Sequence, residues 1–143
     1  MIIPDANLLI YANSPTSPFH AASKAWLERI LSSVEPVGIP ILSVYAFLRF
    51  FTNTSIHPKP ATFHQASVIV DTWLALPHVR LLYPGDRHWE LLQHIAVQVR
   101  LQGAQTTDAA IAAIAMEYGG VVYTNDRDFA RFPDARWVNP LQP

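Results

Sequence analysis

Uncharged runs of a few residues alternate along this chain with longer stretches of helical period. Residues 120–124 are apolar, small or β-branched and carry no charge, which predicts a short strand covered on both faces, as in a parallel sheet. The run stops at Asn125-Asp126-Arg127-Asp128. Residues 1–4 repeat the arrangement, with Asp5 closing an apolar strand. Residues 37–40, 79–83 and 136–138 read as three further strands. Between them, helical spacing predicts helices over 8–12, 19–33, 41–51, 61–76, 87–102 and 108–118, and a helical turn over 129–132. In the second, Ala22, Ala25, Trp26, Ile30 and Leu31 share one face, and Lys24, Glu28 and Arg29 the other. Ser17-Pro18, Asp86 and either Thr106 or Thr107 are the expected caps, and Gly103 and Gly119-Gly120 the expected stops.

This alternation, with no hairpin signal, implies βαβ units and a mostly parallel sheet with helices on both faces. The class is α/β, with one domain over 1–143 and right-handed connections. The helix over 41–51 is apolar nearly all round. Its aromatic stripe, Tyr45, Phe47, Phe50 and Phe51 with Leu48, serves either core packing or an open groove for a partner helix or second subunit.

Composition narrows the functional classes. Half the residues are hydrophobic and 15% are charged, so a packed core is expected. A net charge of −1 argues against nucleic-acid binding by bulk charge, yet leaves room for a local basic rim. The absence of cysteine excludes disulfides, thiolate metal sites and cysteine nucleophiles. The longest apolar stretch, 39–51, contains Arg49 and falls short of the ~20 residues that span a bilayer. With no basic-then-apolar leader at the start, a cytoplasmic protein is expected.

The eleven acidic residues are few enough for their places to matter. Asp5, Asp126 and Asp128 follow strand ends, and Asp108 opens a helix. Each has a local explanation: a cap for Asp5, turn formation for Asp126 and Asp128, a dipole interaction for Asp108. Gathered on one rim, however, they repel unless protons or a cation neutralise them. A carboxylate-only donor set selects Mg²⁺ or Mn²⁺. Such ions activate water against a phosphodiester and brace its oxygens. The six histidines form no spaced pair and read as surface residues. There is no Ser/His/Asp pattern and no phosphate loop. Arg49, Arg127 and Arg131 are candidates to flank the rim, either touching an RNA backbone or pairing with the carboxylates; for Arg49 pairing is the reading preferred. Lys59 is a further RNA-contact candidate. Glu90, beside Trp89, reads as a solvated helix residue.

The order Ile-Pro-Asp-Ala-Asn, then Thr-Thr-Asp-Ala-Ala-Ile-Ala-Ala-Ile-Ala, then Tyr-Thr-Asn-Asp-Arg-Asp-Phe-Ala-Arg-Phe resembles PIN domains, and among them VapC-type toxins of bacterial toxin–antitoxin pairs. The likeness spans the chain to its closing Trp-Val-Asn-Pro. It implies a three-layer α/β/α fold with a five-stranded parallel sheet in the order 3-2-1-4-5. It also implies Mg²⁺- or Mn²⁺-dependent endoribonuclease activity, a VapB-like antitoxin docked on an apolar groove, and a homodimer. Asp5, Asp108 and Asp126 match the family's first, third and fourth acids, and Asp128 an auxiliary one. Asn7 and Thr124 match supporting polar positions. The family's second acid, a glutamate in the helix after strand two, is replaced here by Phe47, and this keeps open a scaffold or RNA-binding module without catalysis.

Overall fold

A computed structural model describes residues 1–142. Five strands form one sheet: β1 (Ile2–Pro4), β2 (Val37–Pro40), β3 (Val79–Leu82), β4 (Val121–Tyr123) and β5 (Trp137–Val138). All pairings are parallel and the order is β3-β2-β1-β4-β5. Six helices surround them: α1 (Ala6–Ala12), α2 (His20–Leu31), α3 (Ile41–Phe51), α4 (Phe63–Leu74), α5 (His88–Gln98) and α6 (Gln105–Tyr118). The 3₁₀ turn η1 (Arg127–Arg131) links β4 to β5. The expected class, strand order and helix count all hold.

The strand period of two sorts side chains between two cores. Ile2 faces a cluster with Leu8, Leu9, Trp26, Ile30, Phe47 and Trp73, built under α1 to α4. Ile3 faces the opposite way, into a cluster with Leu91, Ile95, Ile111, Ile114, Val122 and Phe129 under α5, α6 and η1. The alanines at 109, 110, 112, 113 and 115 are all buried, so α6 lies close against the sheet. Gly119 ends it in the left-handed conformation, φ +66°, where a side chain is strained.

Several local expectations shift. In α2 the buried face is Ser23, Trp26, Leu27 and Ile30, while Ala22 and Ala25 are exposed. Trp26 stacks on Tyr123, and this bulky contact sets the rotation of the helix. Ser17 accepts from the Phe19 N–H but lies two residues before the cap position of α2, which is Phe19. α4 starts later than expected, because Thr62 and Gln65 form a reciprocal capping box. α5 stops at Gln98 as Val99 turns extended, so Gly103 closes no helix. Asp86 caps nothing there; the Glu117 carboxylate of α6 accepts the Gly85 and Arg87 N–H groups instead. α6 begins at Gln105, so Thr106 and Thr107 lie within it rather than before it. The histidines are not all surface residues: His20, His57 and His78, all half-buried, bond to main-chain carbonyls of Tyr11, Phe50 and Ile30.

Candidate active site

The sheet reverses its direction of growth between β1 and β4, the neighbouring strands at its centre. In open α/β sheets, ligands bind outside the carboxyl ends of strands at such a switch. The β1–β4 register pairs Pro4 with Tyr123, and the Asp5 N–H donates to the Tyr123 carbonyl at 2.9 Å. Asp5 and Thr124 thus leave the sheet side by side, although 119 residues separate them.

Thr124 is fully buried, and its hydroxyl organises the rim. It donates to Asp5 Oδ2 at 2.7 Å, and accepts from Asn7 Nδ2 at 3.1 Å and from the Asp126 N–H at 2.9 Å. Asp5, 6% exposed, also accepts the Ala6 N–H at 2.7 Å through Oδ1, so it caps α1 as well. Asp126 accepts the Asp128 N–H at 2.8 Å and opens η1. Asn139, beyond β5, donates to Asn125 Oδ1 at 2.9 Å and tethers the loop after β4. Nothing in local sequence pattern singles out Ser43. It is fully buried and donates to the Pro4 carbonyl at 3.0 Å, fixing α3 against the end of β1 beside Asp5. Its only signal is a small polar residue in the apolar first half of a helix whose one charge, Arg49, comes near its end.

Asp108, in the first turn of α6, completes the arrangement. Its carboxyl is pushed up to about 7, first by burial and then by the charges of Asp5, Asp126 and Asp128. That repulsion places all four acids in one electrostatic neighbourhood. The Asp5 carboxyl is also raised, chiefly by burial and further by Asp126, against the lowering pull of Thr124 and Ala6. Among the described residues no Lys or Arg forms an ion pair with any of the four. Nor do three or more His, Cys, Asp or Glu side chains stand as a preformed metal-binding group there. Both Asp5 oxygens and Asp126 Oδ1 accept from protein donors. The donor set nonetheless fits a hard divalent cation: each carboxylate oxygen keeps a spare lone pair, and the uncompensated negative charge calls for a cation.

The remaining candidates scatter. Phe47 is fully buried, edge-on to Trp73 and 4.8 Å from Phe51, so this position points into the core rather than at the rim. Leu42 packs instead against the α6 side, and at 100° per residue Ala46 shares its face. Arg49 pairs with no carboxylate among the described residues; it lines a shallow surface notch with Tyr45, Leu48 and Phe63. Arg127 and Arg131 lie on η1, exposed, directly after Asp126. Lys59 lines a separate cavity of about 600 Å³ with Ile10, Tyr11, Phe50, Phe51 and Ile56. The aromatic stripe of α3 therefore divides: Phe47 serves the core, Phe50 and Phe51 wall the cavity, and Tyr45 is exposed. Glu90 is solvated, 3.8 Å from Arg87. Among the described residues no helix is long and apolar enough to cross a membrane.

Residues 2–135 match the PIN domain family model. The chain is 34% identical over 142 residues to ribonuclease VapC33 of Mycobacterium tuberculosis, covering 99% of both chains. It is 36% identical over 141 residues to VapC ribonuclease Mb2897 of Mycobacterium bovis, covering 99% of this chain and 96% of that one. Its fold is similar to VapBC2 of Rickettsia felis, solved bound to a DNA fragment from its promoter, with TM-score 0.71, 16% identity and coverage of 97% and 98%. The chain belongs to the PIN-domain family, in its VapC branch.

Proposed function

We propose that this protein is a Mg²⁺- or Mn²⁺-dependent endoribonuclease and the toxin of a toxin–antitoxin pair. The observation that carries the reading is the set of four aspartates at the central switch of the sheet, with no protein cation paired to them. Relatives named as VapC ribonucleases at about one-third identity over nearly the whole chain support the activity. Asp5, Asp108 and Asp126 would hold the ion, with Asp128 auxiliary. When bound, a divalent cation supplies charge neutralisation for a phosphate and lowers the pKa of water.

The chain's own residues do the rest. Thr124 and Ala6 hold the Asp5 carboxylate in one orientation, and Asn7 holds Thr124. Asp108, whose carboxyl the uncompensated rim holds at about 7, would be ionised once a cation offsets that repulsion; water adds to phosphorus as the bond to the 3′ oxygen breaks, and the proton that water gives up is balanced by the one the 3′ oxygen takes. The products carry a 5′-phosphate and a 3′-hydroxyl. Arg127 and Arg131, exposed on η1 directly after Asp126, are the phosphate contacts of this reading; Arg49 and Lys59 lie in other notches. An antitoxin partner belongs to the same reading, as does a homodimer. The cavity walled by Phe50 and Phe51 is the apolar surface offered to the antitoxin.

The test is cleavage of bacterial RNA by purified protein with Mn²⁺, against Asp5→Asn and an EDTA control. Wild type should cut and both controls should not; equal activity in Asp5→Asn sinks the proposal. One observation favours a second reading, a binding module without catalysis: α3 offers no acid, its family position being filled by a core phenylalanine. Absence of saturable Mn²⁺ binding in calorimetry would select that alternative.

A further inference from the structure

Arg100 and Arg131 come from different parts of the fold and line one cavity of about 320 Å³ with Val99, Leu101, Gln105 and Phe132. Among the described residues neither arginine has a carboxylate partner. The walls spring from the elements that carry the acids. Gln105 is three residues before Asp108 on α6, so the two sit on one helix face with Cβ atoms ~5–6 Å apart. Arg131 closes the η1 turn that Asp126 opens. The Oε1 of Gln105 accepts the Gln102 N–H at 3.1 Å, which fixes the amide and leaves its NH₂ to donate. Phe132 is buried, and Val99 and Leu101 are half-buried, so the floor is apolar. An apolar floor strengthens charge interactions at its mouth.

Two guanidiniums and a donor amide over an apolar floor suit a phosphodiester and its sugar. We infer that this notch is a phosphate subsite that holds the RNA backbone next to the scissile bond, with Arg100 and Arg131 as positioning residues. The inference rests on the ribonuclease reading above. It explains how a chain of net charge −1 engages a polyanion: attraction is local, set beside the acids rather than spread over the surface.

Binding is measured with a fluorescein-labelled single-stranded oligouridylate in EDTA, titrated at several salt concentrations. Cleavage kinetics use the RNA cut by wild type with Mn²⁺. Arg100→Ala/Arg131→Ala should weaken binding about tenfold and lower the salt slope by about 0.7, the share of one phosphate. In cleavage it should raise KM with kcat nearly unchanged. Arg100→Lys/Arg131→Lys should recover part of the binding, and Lys24→Ala, on the outer face of α2, should change nothing. Circular dichroism checks that each variant is folded. Unchanged KM and salt slope in the double alanine variant overturn the subsite while the nuclease reading stands. An Asp5→Asn protein as active as wild type overturns the nuclease reading instead. A wild type that binds no oligouridylate at low salt overturns the subsite outright, since a phosphate contact reads no sequence.

Discussion

Asp108→Asn should make the metal-free protein more stable while abolishing its activity. The Asp108 carboxyl lies at about 7 in the fold against 3.8 as its ordinary value. About three units at ~1.36 kcal/mol each sets a ceiling near 4 kcal/mol for the cost of ionising it. The side chain keeps partial contact with solvent, and its place at a helix N-terminus returns ~0.5 kcal/mol, so a net effect of about 1–2 kcal/mol is expected. The sign follows from proton linkage. Between pH 3.8 and about 7 the folded state binds more protons than the unfolded one, so stability falls as pH rises through that window. The asparagine variant lacks this loss. Thermal melts in EDTA should therefore place Asp108→Asn about 3–6 °C above wild type at pH 8, with the gap closing towards pH 4. Saturating Mn²⁺ should reverse the order, because wild type gains ~2.7 kcal/mol at a hundredfold excess over Kd and the variant much less. A variant no more stable than wild type at pH 8 in EDTA, or a gap independent of pH, would refute the idea that uncompensated charge shapes this rim.

Other outcomes follow from the same geometry. Thr124→Val keeps the shape of a buried side chain but removes the donor to Asp5 and the acceptor for Asp126 and Asn7; urea unfolding at pH 8 should show a loss of about 2–3 kcal/mol, and cleavage should fall with it. Phe47→Glu, which puts back the acid the resemblance leads one to expect, should destabilise by more than ~4 kcal/mol rather than raise activity, because position 47 is sealed against Trp73; a folded, more active variant would show that α3 rotates. Gly119→Ala should cost about 1 kcal/mol in a denaturant melt without touching KM, since only the left-handed cap of α6 is strained.

Much of this fold was decided by sequence. The uncharged runs ending in Asp5 and in Asn125-Asp126 identified two strands and put their acids at the carboxyl edge, because a parallel strand buried on both faces must be apolar and must stop where charge begins. The span of α3 is also plain in the pattern, from Ile41 to Phe51. Hydrophobic period says that a helix has a buried side, but in a helix apolar nearly all round it does not say which side. Tertiary packing therefore decided that Phe47 faces the core, that Ser23 and Leu27 rather than Ala22 and Ala25 are buried, and that three histidines bond to main chain. The meeting of Asp108 with Asp5, Asp126 and Asp128, and of Arg100 with Arg131, depended on it too. Local pattern is set by neighbours along the chain, whereas charge repulsion and shared cavities depend on distance in space, and only the assembled sheet with its packed helices fixes that distance.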